Sequence, residues 1–173
     1  MQVVAAALLV LVAGCDDNSK GTPTPATTTV NDAAIWDPCD PSALPPQALE
    51  ALGYDPTIAN RDIAGAKFPG WKVCGWQGNP TFHLTVFSAD KALTELPNNS
   101  EFRDIRPAVV PGREAVTFGL TNSPDDEFCY VAIATPFGNV SFQASPRSFT
   151  MHGLNVCGEA LRGAVALEGY VPR

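Results

Sequence analysis

Apolar residues run almost without interruption from Val3 to Ala13. At about 11 residues this run is too short to cross a bilayer as a helix, but it has the length of the apolar part of a signal peptide. The small residues Ala13 and Gly14 precede Cys15, as signal peptidases require. The stretch Leu11-Val12-Ala13-Gly14-Cys15 therefore predicts a lipoprotein cleavage site whose cysteine thiol carries diacylglycerol.

The flanks of this run decide between two interpretations. A signal peptide begins with basic residues, which Met1-Gln2-Val3 lacks, so we expect a precursor that starts further upstream. The alternative is a buried apolar helix or strand with an incidental cysteine. The Thr- and Pro-rich segment that follows favours the signal peptide, because it cannot bury enough apolar surface to fold. The sequence predicts a signal peptide over 1–14, an extended tether over 15–34 and one folded domain over 35–173.

Within the folded part, the apolar spacing first predicts a short helix. Leu44, Ala48 and Leu52 recur four residues apart, and Gly53 is suited to end the helix. Five strands are predicted next, with the clearest alternation of apolar and polar residues over Thr81–Ser88, and Ala89–Leu96 is expected to form a short helix. The predicted strands are Trp71–Gln77, Thr81–Ser88, Arg113–Leu120, Glu127–Thr135 and Asn139–Ala144.

The chain closes with a predicted helix over Gly153–Glu168, in which one stripe holds Leu154, Cys157, Leu161 and Val165. Turn-rich separators between the strands favour antiparallel pairing. The segments Tyr54–Gly70 and Pro97–Gly112 are expected to be long loops that shape a site. The predicted fold is α+β, with an antiparallel sheet of about five strands and both helices packed on it.

The charge of the chain limits the classes of partner that it is expected to bind. The formal net charge is −7, and Lys67, Lys72 and Lys91 are the lysines that follow the tether. Such a domain is a poor nucleic-acid binder and a poor candidate for purely electrostatic adhesion to anionic lipid. We expect the membrane to be reached through the lipid on Cys15, and the partner to be a small ligand or an envelope protein.

Five cysteines are an odd number, and lipid on Cys15 accounts for one of them. The other four are expected to form two disulfides, since exported domains favour them. A zinc site is the alternative, but the cysteines lack the close pairing that zinc sites usually show. Cys39 precedes the first helix and Cys74 lies on the strand where that helix docks. Cys129 is expected on the inward side of a core strand and Cys157 on the inward stripe of the last helix, so we predict the pairs Cys39–Cys74 and Cys129–Cys157.

These motifs together resemble a known family. Asp37-Pro38-Cys39 opens the first helix, Cys74-Gly75-Trp76 lies on a strand, and Cys157-Gly158-Glu159-Ala160-Leu161 lies in the last helix. This order resembles the actinobacterial envelope lipoproteins of the domain-of-unknown-function 3558 family, which includes mycobacterial Lpr-type lipoproteins. The resemblance spans essentially the whole mature chain. It implies export, lipid attachment and paired cysteines, and it offers no catalytic residue.

The polar residues give little support for catalysis. His83 and His152 lie on different predicted elements without a metal-binding spacing, and no serine lies in a G-x-S-x-G context. Asp125-Asp126-Glu127 lacks the alternating oxygen spacing of a calcium loop, so a solvated turn is the favoured interpretation. We therefore predict no catalytic, metal-ligating or cofactor-binding residue.

The three tryptophans are the candidate binding surface. Trp36, Trp71 and Trp76 are expected either to pack in the core or to line a cleft for a glycan or a lipid. Two classes of function follow from the sequence. The first is a non-catalytic envelope module that binds a ligand or a partner. The second is an envelope enzyme that acts on cell-wall material.

Overall fold

The computed structural model describes residues 35–148 and 150–173. The predicted signal peptide, tether and lipidation site at Cys15 lie outside these residues. Seven strands form one antiparallel sheet in the order β1-β2-β3-β7-β6-β5-β4. The strands are β1 (Asp55–Arg61), β2 (Trp71–Gln77), β3 (Phe82–Ala89), β4 (Phe102–Pro107), β5 (Ala115–Leu120), β6 (Cys129–Thr135) and β7 (Gly138–Pro146).

Helices precede and follow the sheet. Helix α1 (Pro46–Glu50) is a short element between two turns, and Gly53 follows it with a φ of +80°. The segment after β3 forms a 3₁₀ helix, Leu93–Asn98, a few residues later than the short helix predicted there. Helix α2 (Val156–Leu167) begins after Asn155, whose side chain caps it by accepting a hydrogen bond from a backbone N–H. None of the helices in the described part of the chain is long and apolar enough to span a membrane.

The prediction of about five strands was wrong, because the sheet has seven. The five predicted strands are present, and β1 and β4 are added at the two edges. Both edge strands lie in segments that were predicted to be loops. Most residues of β1 are exposed and the register of both strands is interrupted. An edge strand that buries neither face gives no alternating pattern from which it can be predicted.

One face of the sheet packs against α2 and forms the main core. The large side chains on this face come from β3, β6 and β7 and are fully buried, among them Leu84, Ile133 and Phe142. Helix α2 meets them with small residues, because Ala160, Gly163 and Ala164 are buried. A Cβ atom on Gly163 would lie 3.2 Å from Leu84 Cδ1, so the glycine allows the helix to lie close to the sheet.

The predicted inward stripe of α2 was wrong. Cys157 is exposed and Val165 is 42% exposed, whereas the buried side of the helix carries Val156, Glu159 and Leu167 with the small residues. Alanine and glycine contribute little to a hydrophobic pattern, so a contact that relies on them is easily assigned to the wrong side of a helix.

Two disulfides link the helical segments to the sheet. They join Cys39 to Cys74 and Cys129 to Cys157, which are the pairs that the sequence predicted. The Cα atoms lie 5.3 Å and 4.9 Å apart, within the usual range for a disulfide. One bridge ties the segment before α1 to β2, and the other ties the start of α2 to β6.

An ionic cluster around the buried Glu159 joins the segment after α1 to α2. The Tyr54 hydroxyl donates to Glu159 Oε1 at 2.7 Å, and Arg162 Nε donates to Glu159 Oε2 at 2.8 Å. Arg162 Nη2 also donates to the Leu52 carbonyl at 3.0 Å. Burial by itself would raise the pKa of Glu159, but the hydrogen bonds from Arg162 and Tyr54 outweigh it, so the pKa is lowered.

The lowered pKa of Glu159 predicts a pH-dependent stability. Its ionised form is favoured in the folded chain, so its contribution is complete at neutral pH and is lost as the pH falls below the ordinary value of 4.5. We expect Glu159→Gln to lower the free energy of unfolding by about 1–2 kcal/mol at neutral pH, with the difference shrinking below that value. Urea unfolding at several pH values measures this difference. The exposed Glu50→Gln serves as the control, and a pH-independent gap would contradict the assignment.

Candidate functional site

A cavity of about 670 Å³ lies over the other face of the sheet. Because side chains alternate along a strand, Val73, Phe87 and Ser141 point away from the face that packs against α2. They form the floor of the cavity. Ile63 and Phe68, from the loop between β1 and β2, form one wall. The opposite wall comes from the 3₁₀ helix and the residues that lead into β4, and its members are Leu96, Asn98, Asn99, Ser100 and Phe102.

Five aromatic rings run side by side across the cavity. Trp71 on β2 contacts Phe87 on β3 edge to face, with ring centroids 6.4 Å apart. Phe87 and Tyr130 lie 6.0 Å apart, Tyr130 stacks on Phe118 at 4.9 Å, and Phe118 and Phe102 lie 4.7 Å apart. These aromatic residues come from strands β2, β3, β6, β5 and β4, in that order across the sheet, and β7 lies between β3 and β6 without contributing a ring. The row makes much of the cavity lining apolar.

The polar groups of the floor are hydrogen-bonded to the protein itself. Ser141 Oγ donates to Asn139 Oδ1 at 2.8 Å, and Asn139 Nδ2 donates to the Lys91 carbonyl at 2.7 Å. Gln143 Nε2 donates to the Tyr130 hydroxyl at 2.5 Å. A ligand over the floor therefore meets the aromatic row and polar groups that already have partners.

The ionisation of Tyr130 also fits an apolar cavity. Burial raises the pKa of Tyr130 to about 12, although the hydrogen bond from Gln143 acts in the opposite direction. The phenol consequently stays neutral at physiological pH. The floor holds no charge, and the charged residues of the lining, Lys91 before the 3₁₀ helix and Glu95 within it, are exposed.

A family model described as a protein of unknown function, DUF3558, matches residues 10–170. The chain belongs to the DUF3558 family. The description of the family names no activity. Neither the curated proteins nor the solved structures include one that matches this chain significantly.

The structure of this DUF3558 member separates the three tryptophans that were predicted to share one surface. Trp71 lines the cavity, whereas Trp76 is 3% exposed and lies in the core under α2, and Trp36 packs against that same core. Trp36 and Trp76 therefore follow the interpretation in which the tryptophans pack in the core, and Trp71 lies at the candidate binding surface. Trp71 and Trp76 are an odd number of residues apart on one strand, which puts their side chains on opposite faces of the sheet.

Sequence reasoning missed the other four members of the aromatic row, which are Phe87, Phe102, Phe118 and Tyr130. A signal for two of them was present. Phe87 alternates with the buried Val86 and Leu84, and Tyr130 alternates with Cys129 and Val131. Apolar side chains on both faces of a strand indicate that both faces are covered.

Neither histidine of this DUF3558 protein lines the cavity. His152 is 78% exposed, with Nδ1 3.7 Å from Asp126 Oδ2, and His83 lies on β3 opposite Ser145 of β7. In the predicted acidic turn, Asp125 pairs with Arg103, and Asp126 accepts a hydrogen bond from the Gly153 N–H. Within residues 35–148 and 150–173, no group of three or more metal-ligating side chains is close enough to hold a metal ion.

Proposed function

We propose that this DUF3558 protein is a lipid-anchored module of the cell envelope that binds a small ligand with an apolar body and performs no catalysis. The aromatic cavity is the observation that carries the proposal. Its volume of about 670 Å³ lies in the range of small-molecule sites, and its lining combines apolar walls with few polar groups. A ligand that displaces water from the aromatic row gains binding free energy, because apolar surface is removed from water.

The polar residues Asn98 and Ser100, which we call the polar rim of the cavity, suggest how the ligand is oriented. The floor groups Ser141 and Asn139 are hydrogen-bonded to their neighbours, so the apolar body of a ligand can lie over them without leaving an unpaired donor. Asn98 and Ser100 lie exposed at the far wall and are available to a polar end group. We infer an amphiphilic ligand whose apolar part is buried and whose polar part lies at this rim.

The hydroxyl groups of the cavity support binding over catalysis. A serine nucleophile needs a general base within hydrogen-bond reach. Ser141 instead donates to the amide oxygen of Asn139, which is not a base, and the Tyr130 phenol is held neutral. Both histidines lie away from this lining.

The placement in the envelope rests on the N-terminal sequence and the cysteines. Two disulfides suit an oxidising compartment outside the cytoplasm. We expect Cys15→Ala to abolish attachment of diacylglycerol, because the thiol of Cys15 is the proposed acceptor. Metabolic labelling with a radioactive fatty acid in the native host measures this attachment. Label retained by the alanine variant would exclude Cys15 as the lipidation site.

Titration with the fluorescent apolar probe N-phenyl-1-naphthylamine tests the cavity. The protein used is the chain from residue 15 with Cys15→Ala, so that no lipid competes. We expect Trp71→Ala to weaken probe binding about tenfold, since it removes one end of the aromatic row. Tyr170→Ala is the matched control, because Tyr170 is 44% exposed and lies outside the lining. Equal binding by both variants, or no binding by the parent chain, would contradict the proposal.

A further inference from the structure

Exposed apolar side chains are concentrated beside the mouth of the cavity. Among the described residues, seven large hydrophobic side chains are exposed, and four of them lie between residues 58 and 72. We call this segment the docking loop. Its exposed apolar residues are Ile58, Ile63, Phe68 and Trp71, at 46%, 47%, 49% and 36% exposure.

The tip of the docking loop is narrow and fully exposed. Every residue from 63 to 69 is exposed, and Ile63 pairs with Ala66 across the tip. A stable protein–protein interface buries about 800 Å² on each partner, which a single turn does not provide. Two large apolar side chains on such a tip are instead suited to insertion between lipid headgroups. Tryptophan and lysine beside them are the residues that favour the membrane–water interface.

The local charge supports the same partner. The docking loop carries Arg61, Lys67 and Lys72 against a single acidic residue, Asp62, in a chain whose formal net charge is −7. Arg61 is paired with Asp37 at 2.5 Å, whereas Lys67 has no ion-pair partner in the part of the chain that the structure describes. The rest of the chain is repelled by an anionic surface, so the loop is the part that can approach a bilayer.

We propose that the docking loop inserts into a lipid bilayer and thereby places the mouth of the cavity at the membrane surface. Ile63, Phe68 and Trp71 belong both to the exposed tip region and to the lining of the cavity. An amphiphile can pass from the bilayer to the aromatic row without crossing water. This inference rests on the proposed function and names the source of its ligand, which is a lipid of the membrane.

Quenching by brominated lipid tests the contact. The full lipidated protein is reconstituted into phosphatidylcholine vesicles with plain or brominated acyl chains. Trp71 is the exposed tryptophan among the described residues, so bromine should lower the emission and Trp71→Phe should remove that quenching. We expect Phe68→Asp to lose most of the quenching, and Val109→Asp, at an 84% exposed site outside the lining, to keep it. Added phosphatidylglycerol should increase the quenching, and Lys67→Glu should abolish that increase.

Equal emission in plain and brominated vesicles would overturn the docking proposal, as would full quenching of the Phe68→Asp variant. Titration with the probe in the absence of vesicles distinguishes loss of the membrane contact from loss of ligand binding in the cavity. Intact probe binding without quenching refutes the membrane contact alone. Quenching without probe binding refutes the ligand site and leaves the docking loop as a membrane contact.

Discussion

Ser141→Phe should lower probe binding by about a hundredfold or more while the sheet stays folded. Ser141 lies on the floor of the cavity and opposite Phe87 on the neighbouring strand, so a phenyl ring at this position occupies the space over the aromatic row. The loss of the hydrogen bond to Asn139 costs about 1 kcal/mol of stability, which burial of the added ring offsets. Titration with N-phenyl-1-naphthylamine measures the binding, and circular dichroism measures the fold.

Ser145→Phe is the matched control for this variant. Ser145 lies on the same strand and the same face of the sheet, but outside the lining of the cavity. We expect this control to bind the probe as tightly as the parent chain does. A Ser141→Phe protein that is folded and binds the probe normally would show that the ligand site lies elsewhere.

Replacing Cys129 and Cys157 together by alanine should lower the free energy of unfolding by about 3–4 kcal/mol. The bridge spans 28 positions of sequence, so its removal returns conformational freedom to the unfolded chain. It also releases the start of α2 from β6, against which the helix packs. Thermal and urea unfolding measure the loss, and the parent chain in reductant should show at least as large a change.

Peptide mapping under non-reducing conditions is the companion measurement. It should yield linked peptides for Cys129 with Cys157 and for Cys39 with Cys74. A peptide that links Cys39 to Cys129 would refute the pairing and, with it, the packing of α2 on the sheet.

The sequence was sufficient for the parts of the fold whose burial follows a simple period. Strand β3 alternates as predicted, and Leu84 and Val86 lie on the face that packs against α2. The cysteine pairs were predicted correctly, although Cys157 lies at the exposed start of α2 and not on its buried side. The edge strands β1 and β4 were missed because exposed strands carry no alternation. The inward side of α2 was missed because Ala160 and Gly163 make the contact through small size.

The cavity could be predicted only in part. Trp71 was a candidate, and the two segments expected to shape a site both contribute lining residues, such as Phe68 and Ser100. The aromatic row could not be assembled from sequence, because its members come from five strands whose neighbours follow from the sheet order. Phe87 and Phe118, for example, are brought into one row by β7 and β6, which lie between their strands.

Mass spectrometry of the ligand that the native protein carries tests the central claim most directly. The lipidated protein is purified from its host in parallel with the Ser141→Phe variant, and each is extracted under denaturing conditions. We predict that the native protein releases an amphiphile in near-stoichiometric amount and that the Ser141→Phe variant releases little of it. The same compound in equal amounts from both proteins, or none from the native protein, would contradict a binding role for the aromatic cavity.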